Sequence, residues 1–275
     1  MSEQFTKGLV SVVIPTFNQA DYLSEALVCV LKQTYSNWEA FVVNNNSTDH
    51  TLSIMKSVND HRIHLINFSN DGVIARSRNL GIRESRGEFI AFLDSDDLWE
   101  EQKLMRSVES LDRGADLVCH AERWFGGGSP DRIVKYGPPR RATYEALLVK
   151  GNCISTSATV IRREVVDSLG GFRDRAEFVT TEDYDLWLRV AQHGYRIDFI
   201  EEALGSFRRH SSSASSSTLR HLHAELAVIS DHFSKAPKDL RRHEGRRKAF
   251  AYYTAGRGFS KGAHIFAALR MFGIA

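Results

Sequence analysis

The sequence predicts an α/β protein with a parallel sheet flanked by helices. In the N-terminal half, short β-branched apolar runs alternate with segments whose apolar residues recur at helical spacing. Polar clusters follow several of these runs at the point where each run ends. The chain has 275 residues, 42% of them hydrophobic, which is enough to bury a core and excludes wholesale disorder.

The strands and helices of this half can be placed in order. Residues 9–14 form an apolar run that Pro15 ends, and Asn18 or Asp21 can cap the helix that follows. The next elements are predicted as a strand over 38–43, a helix from Ser47 or Asp49, a strand over 64–68, a helix over 76–84, a strand over 89–93 and a helix from Lys103. This order predicts right-handed crossovers, with ligands bound at the carboxyl ends of the strands.

The second half is less regular. Strands are predicted over 115–119 and 159–161, helices over 164–168 and 181–194, and loops over 126–130 and 137–139. A serine-rich loop over 211–218 precedes a basic tail with helical spacing. We therefore expect a catalytic α/β domain over 1–215 and a helical extension over 216–275.

Composition excludes several classes of protein. The chain carries 36 Lys+Arg against 34 Asp+Glu, a net charge of +2 that gives no case for nucleic acid binding. Three cysteines lie far apart without metal-ligand spacing, which fits a reducing cytoplasm. No signal-like stretch and no apolar run of about 18 residues is present, so we expect a cytoplasmic protein.

The sharpest chemical feature is the DSDD segment at residues 94–97, directly after a predicted strand. Clustered carboxylates repel one another unless a cation neutralises them, and hard oxygen ligands suit Mg²⁺ or Mn²⁺. The alternative is structural, because Asp94, Ser95 or Asp96 can each cap the helix that follows. Both interpretations stay open on these residues alone.

Two further clusters have the same ambiguity. The TTEDYD segment at residues 180–185 is predicted to begin a helix. Its acidic residues either stabilise the helix by interacting with the macrodipole, or include a general base, Asp183. Residues 208–210 (RRH) are either a solvated basic patch or a site for a diphosphate and a metal. P-loop, GxGxxG and GxSxG motifs are absent, which removes the usual support for NTPase, dinucleotide-binding and α/β-hydrolase functions.

Four motifs in this order resemble the family 2 glycosyltransferases. They are residues 12–18 (VVIPTFN), 79–82 (NLGI), 93–97 (LDSDD) and 182–187 (EDYDLW). The resemblance covers about the first three-quarters of the chain. It implies the GT-A fold, with a Rossmann-like, mostly parallel sheet, and an inverting enzyme that uses a nucleotide-diphosphate sugar.

The resemblance also implies residue roles. Asp183 would be the catalytic base, and Asp96 would bind the divalent cation, Mg²⁺ or Mn²⁺, joined by His210 of a segment similar to "YRxH". Residues expected to contact the nucleotide sugar are Pro15, Thr16, Asn18, Asn44, Arg78, Asn79, Asp94, Ser95 and Arg208.

One departure from the family pattern concerns the base of the nucleotide. Residues 44–49 read NNNSTD, where the family usually has an acid first and a glycine third. An amide at Asn44 can both accept and donate hydrogen bonds, which puts specificity for uridine in doubt. Asn46 replaces the glycine plausibly because asparagine tolerates positive φ.

These residues account for an inverting transfer. A carboxylate accepts the proton of the acceptor hydroxyl, while a cation and a basic group stabilise the leaving diphosphate. The expected reaction moves one sugar to a glycan or lipid-linked acceptor in bacterial cell-surface polysaccharide synthesis. Acceptor loops are expected over 124–141 and 152–156. The alternatives are a degenerate sugar-nucleotide binding module and a metal-dependent nucleotidyltransferase, although residues 15–22 lack the glycine and lysine usual in the latter.

The tail also has two interpretations. Residues 241–248 are strongly basic and residues 263–272 are largely apolar. The tail therefore either contacts the inner face of the plasma membrane peripherally or packs on the catalytic domain with its arginines in water.

Overall fold

A single twisted sheet organises the molecule in the computed structural model, which describes residues 5–210, 217–261 and 265–274. Its strands are β1 (Thr6–Thr16), β2 (Trp38–Asn44), β3 (Ile63–Asn67), β4 (Gly87–Phe92), β5 (Leu98–Trp99), β6 (Leu117–Gly126), β7 (Arg132–Val134), β8 (Thr159–Arg162) and β9 (Ile197–Arg209).

Helices cover both faces of this sheet and form the tail. They are α1 (Ala20–Leu31), α2 (Thr51–Ser57), α3 (Ile74–Glu84), α4 (Lys103–Asp112), α5 (Tyr144–Lys150), α6 (Arg163–Ser168), α7 (Glu182–Gln192), α8 (Thr218–Lys235), α9 (Lys238–Arg241), α10 (Glu244–Lys261) and α11 (Ile265–Ile274). Two 3₁₀ turns occupy Pro139–Arg141 and Ala176–Phe178.

The strand order is β3-β2-β1-β4-β8-β6-β9-β5, with β7 paired to β6. The half from β3 to β4 is parallel, as the βα alternation predicts. Strand β8 then enters antiparallel between β4 and β6, while β9 runs parallel to β6. The predicted α/β class is confirmed, and its parallel half supplies the edge at which the polar loops meet.

The two faces of the sheet bury separate apolar cores. Alternate residues of β1 show the division, because Val10, Val12 and Ile14 face α1 and α4 while Val13 faces α3. Helix α3 packs closely here, since a Cβ on Gly81 would lie 2.5 Å from Val13 Cγ1. The absence of a side chain at Gly81 is therefore what permits this approach.

Pro15 does not end the first strand, contrary to the prediction. The Val13 carbonyl accepts from Leu93 N on the β4 side, and the Thr16 carbonyl accepts from Asn45 N on the β2 side. Backbone groups alternate between the two sides, so the Pro15 nitrogen points toward β4 beyond its end at Phe92. No ladder hydrogen bond is lost there, and the strand continues.

The predicted helix caps need correction. Asn18 and Asp21 do not cap α1; instead Asp49 Oδ2 accepts from Ala20 N at 2.9 Å across the neighbouring loop. The DSDD segment does not cap the following helix either, because β5 intervenes and α4 begins only at Lys103.

Several elements of the second half were not predicted from the sequence. Strand β9 has no simple alternation, since its register against β6 shifts twice near Ala121. The region 124–141, expected to be a loop, contains the end of β6, the β7 hairpin strand and a 3₁₀ turn. Helix α5 follows this region directly and packs against α7.

The tail helices pack on the α/β part, as one of the two interpretations requires. Apolar side chains of α8 belong to the same buried cluster as those of α7, and this cluster includes Leu222, Val228, Ile229, Phe233, Trp187 and Leu186. The proposed boundary at 215/216 and most of the serine-rich loop lie outside the described residues. Among the helices described, none has the length and apolar character that crossing a membrane demands.

Candidate active site

The carboxyl edge of the parallel strands gathers three predicted site residues. Thr16 ends β1, Asn44 ends β2, and Asp94 follows β4. The loops beyond the first two strands brace each other, because Asn18 Oδ1 accepts from Thr48 N at 2.7 Å. Asn18 and Asn46 both adopt φ of 51°, so the expectation for Asn46 is confirmed.

Arg78 on α3 links the two acidic clusters. Its Nη1 donates to Glu182 Oε1 at 2.5 Å and its Nη2 donates to Asp94 Oδ1 at 2.7 Å. Burial alone would lower the pKa of Arg78, but the two carboxylates raise it above its ordinary value. The guanidinium is therefore a permanent positive charge between the DSDD segment and the start of α7.

Asp183 lies beside this bridge at the N-terminus of α7. Its Oδ2 accepts from Thr156 Oγ1 at 2.8 Å, and its Oδ1 accepts from Tyr184 N at 2.7 Å. Burial raises the pKa of Asp183, and the charge of Arg78 acts against that rise. The result is an oriented carboxylate that is more basic than a free aspartate.

Asp96 and His210 meet at the other end of the site. His210 Nε2 lies 2.8 Å from Asp96 Oδ2, although the two residues are far apart in sequence. Gln19 Nε2 approaches the same oxygen at 3.5 Å. Burial, and then the neighbouring Asp94 charge, raise the pKa of Asp96. The structure thus brings together the two residues predicted to hold the metal.

The fourth residue of the DSDD segment has a different environment. Asp97 is buried, where its Oδ2 accepts from Ser157 Oγ at 2.6 Å and its Oδ1 accepts from Arg208 N at 2.9 Å. Burial raises the pKa of Asp97 well above its ordinary value. Asp97 therefore anchors the segment to β9 and to the loop before β8, while Asp94 and Asp96 face the site.

Arg208 lies beside the DSDD segment, but its guanidinium forms hydrogen bonds with other groups of the protein. Its Nη2 donates to Glu25 Oε2 at 2.7 Å and its Nε donates to the Asp96 carbonyl at 2.9 Å. The guanidinium also lies 4.6 Å from the ring centroid of Tyr22. A role for Arg208 toward a diphosphate would require exchange of the Glu25 pair.

Three side chains that were expected to contact the nucleotide sugar form hydrogen bonds within the protein. Asn79 exchanges two hydrogen bonds with the main chain of Phe172, at 2.7 and 2.9 Å. Ser95 donates to Gln19 Oε1 at 2.6 Å, and Asn44 donates to Asn67 Oδ1 at 2.8 Å. These three side chains hold the loops of the site in place, and their contact with the nucleotide sugar stays a prediction.

Pro15 and Thr16 line the end of β1. Thr16 is buried and its Oγ1 has no hydrogen-bond partner among the described residues. An unsatisfied buried hydroxyl costs free energy unless a ligand or water meets it. Thr16 is thus a polar group at the strand end with capacity left for a further hydrogen bond.

A second acid and histidine group lies away from this edge. Asp185, Asp231 and His232 bring ligand atoms within 4.8 Å of one another. However, Arg173 donates to both Asp185 and Asp231, and Arg189 Nε donates to Asp185 at 2.9 Å. Two guanidinium groups already balance the acids, so this cluster is an ionic network between α7 and α8.

Sequence reasoning did not assign several residues that shape the site. Gln19 bonds both Ser95 and Asp96, and Ser157 joins Asp94 N to Asp97. Glu182 belongs to the EDYDLW motif and to the predicted helix start but was given no role, although its adjacency to Asp183 was a usable signal. Gln19 and Ser157 lie in no motif, so only tertiary structure identifies them.

Comparison with known proteins identifies the family of this chain. A family model described as "Glycosyl transferase family 2" matches residues 11–170. That span contains the first three motifs, from the β1 end through the DSDD segment.

Individual relatives extend the match along the chain. An Escherichia coli protein named UDP-Glc:alpha-D-GlcNAc-diphosphoundecaprenol beta-1,3-glucosyltransferase WfgD is 31% identical over 229 residues, which are 81% of this chain and 86% of that protein. The putative teichuronic acid biosynthesis glycosyltransferase TuaG of Bacillus subtilis is 29% identical over 215 residues, 76% of this chain and 82% of its own length.

A solved structure shares the fold. The mannosyltransferase PcManGT from Pyrobaculum calidifontis, in complex with GDP-Man and Mn²⁺, superposes with a TM-score of 0.68 at 20% identity. The match covers 95% of this chain and 73% of that one. The family model and the relatives show that the chain is an enzyme that belongs to glycosyl transferase family 2.

Proposed function

We propose that this enzyme moves one sugar, with inversion, from a nucleoside-diphosphate sugar to a hydroxyl of a glycan or lipid-linked acceptor, in the synthesis of a bacterial cell-surface polysaccharide. The observation that carries the proposal is the Arg78 bridge, which joins Asp94 to the helix start bearing Asp183. The names of WfgD and TuaG, which refer to a lipid-diphosphate acceptor and to teichuronic acid, support the acceptor class.

Asp183 is the proposed base. Inversion needs the acceptor hydroxyl to lose its proton as it attacks the anomeric carbon from the side opposite the diphosphate. The Thr156 and Tyr184 hydrogen bonds fix the direction of this carboxylate, and burial makes it more basic. Thr156 belongs to the expected acceptor segment 152–156, which supports an acceptor held next to Asp183.

Asp96 and His210 are the proposed ligands of a divalent cation, Mg²⁺ or Mn²⁺. The fit rests on the chemistry of the two groups, since a largely buried carboxylate oxygen and an imidazole nitrogen lie 2.8 Å apart. Burial and the neighbouring Asp94 carboxylate both raise the pKa of Asp96, so a cation at this place would be favourable. When bound, a divalent cation supplies positive charge for the leaving diphosphate. The Mn²⁺ in the PcManGT structure supports this class of ion.

The nucleotide is proposed to lie across the ends of β1 and β2, near Thr16 and Asn44. Thr16 Oγ1 has an unused hydrogen-bonding capacity, and Asn44 sits where the family resemblance expects the contact with the base. Since the amide of Asn44 already donates to Asn67 and accepts from Ser47 N, its contribution to base selection would be limited.

The test is calorimetric titration with UDP, GDP, CDP and dTDP, each with and without Mn²⁺. We expect one nucleotide to bind in a metal-dependent manner to the parent and without metal dependence to Asp96→Asn. Asp174→Asn, a change at an exposed acid away from the DSDD segment, is the matched control and should keep the dependence. Equal metal dependence in parent and Asp96→Asn would refute the assigned ligand.

The two alternative functions predict different results. A degenerate module would bind a nucleotide sugar and never transfer the sugar. Against this alternative, Asp94, Asp96 and Asp183 are all present in this chain and each is held by a side-chain hydrogen bond. A nucleotidyltransferase would release pyrophosphate from a nucleoside triphosphate, and membership in a glycosyltransferase family speaks against it.

A further inference from the structure

Three aromatic side chains form an exposed surface on the tail, here called the aromatic face: Phe250 and Tyr253 of α10 and Phe272 of α11. The ring centroids of Phe250 and Tyr253 are 6.5 Å apart, and those of Tyr253 and Phe272 are 5.7 Å apart. The three are 53%, 46% and 38% exposed. Large apolar side chains in contact with each other and with water are unusual on a surface without a partner.

The helices present this face by regular spacing. Arg246, Phe250, Tyr253 and Arg257 recur at i, i+4, i+7 and i+11, which places them along one side of α10. Helix α11 packs against α10 through Gly256, where a Cβ would lie 2.6 Å from Phe272 Cε1. The glycine thus brings the ring of Phe272 alongside the α10 aromatics.

Two more apolar side chains of α11 widen the surface. Leu269 is 61% exposed and Ile274 is 51% exposed. On the same helix, Ala268 and Met271 are buried, so α11 divides into an inward side and an outward side. The tail therefore uses its inward residues for packing and leaves a second apolar side uncovered.

The charged residues that follow Glu244 on α10 and α11 are all positive. No Asp or Glu follows Glu244 in the sequence, while Arg246, Arg257 and Arg270 are exposed on α10 and α11. None of these three arginines forms an ion pair within the described ranges. Glu244 itself pairs with Lys248, which leaves the positive charge of the arginines uncompensated.

We propose that the aromatic face docks on the surface of an anionic lipid bilayer. Aromatic rings settle at the boundary between headgroups and acyl chains, and arginine stems extend beside them toward lipid phosphates. A second copy of this chain would bring like charges together, so the arginines favour lipid over self-association. The proposal deepens the proposed function, because a lipid-linked acceptor lies at a membrane, but vesicle binding does not depend on catalysis.

The test is co-sedimentation of the full chain with vesicles of phosphatidylcholine alone or mixed with phosphatidylglycerol. We expect binding to the mixed vesicles that weakens as salt is raised. Each arginine near an anionic surface contributes about fivefold, or about 1 kcal/mol, so R246Q/R257Q/R270Q should bind about a hundredfold more weakly. Phe250→Ser with Tyr253→Ser should lose about tenfold or more because the buried ring area is removed.

The matched control is Leu52→Ser with Arg83→Gln, which removes an exposed apolar side chain and an exposed charge from α2 and α3. This control should bind like the parent. Unchanged binding of both tail variants, or equal binding to neutral and mixed vesicles, would overturn the proposal. The proposal would also be overturned if the parent formed a dimer and the Phe250→Ser, Tyr253→Ser double variant did not.

Metal-dependent nucleotide binding separates this proposal from the proposed function. The tail variants leave the donor site untouched and should bind nucleotide like the parent. Vesicle binding without nucleotide binding would refute only the proposed function. Nucleotide binding without vesicle binding would refute only the docking surface.

Discussion

Replacement of Arg78 tests the electrostatic organisation of the site. Arg78→Met keeps the length and apolar stem of the side chain but removes the charge shared by Asp94 and Glu182. The Glu182 side chain is 6% exposed and the Asp94 side chain is 31% exposed, so water can compensate Asp94 much better than Glu182. The main cost of the substitution therefore falls on Glu182.

The magnitude follows from breaking a buried ion pair. Removal of one partner leaves an uncompensated buried charge, which lowers the free energy of unfolding by about 3 to 5 kcal/mol. Burial already raises the pKa of Glu182, and loss of Arg78 raises it further. A raised folded-state pKa means that the folded variant holds a proton that the unfolded chain has released, so stability falls as pH rises. The deficit of Arg78→Met should therefore grow from acidic to neutral pH.

The assay is urea denaturation of the parent, Arg78→Met, Arg78→Lys and Arg78→Met with Glu182→Gln at several pH values. Arg78→Lys should recover part of the loss, since it keeps the charge but not the two-pronged contact. The Glu182→Gln change should remove most of the pH dependence of the Arg78→Met deficit. A deficit below about 1 kcal/mol at neutral pH, or one that is the same at every pH, would refute the reasoning.

Two further predictions concern stability. Asp49 accepts hydrogen bonds from Ala20 N and Thr51 N at the starts of two helices, so Asp49→Ala should lower the free energy of unfolding by about 1 to 2 kcal/mol. The measurement is urea denaturation. A smaller loss of stability in Asp49→Ala than in Asp49→Asn would contradict this prediction. Burial raises the pKa of Glu122 from its ordinary value of 4.5 to about 7, so between these two pH values the folded chain holds a proton that the unfolded chain has released. The contribution to stability is therefore complete below the lower value and is lost progressively as pH rises to about 7. Glu122→Gln keeps an acceptor for Tyr136 and should lack this pH dependence in thermal denaturation, and an identical pH profile in parent and variant would count against it.

The N-terminal half of the fold could be predicted because its signals are local. The apolar run of β1 and the polar residues that follow β2 and β4 identify the strand ends, and parallel strands gather those ends at one edge. Strand β9 escaped prediction because its pairing with β6 is irregular and its residues do not alternate. Patterns of period two report only strands with one regular buried face.

The site shows the same division between local and distant information. Motifs identified Asp94, Asp96 and Asp183 as candidate residues, since each lies at the end or start of an element. Their partners were out of reach, because the Arg78 to Glu182 hydrogen bond spans 104 residues and the Thr156 to Asp183 bond crosses from a loop without a motif. Only the packing of α3 and α7 on the sheet brings these groups together.

Asp183→Asn measures the proposed base most directly. The amide keeps the size of the side chain and can still accept from Thr156, but it cannot take the proton of an acceptor hydroxyl. Sugar transfer from the nucleotide that binds should fall by about a hundredfold or more, while calorimetric affinity for that nucleotide stays within about twofold of the parent. Transfer at the parental rate would contradict the assignment of Asp183 as the base.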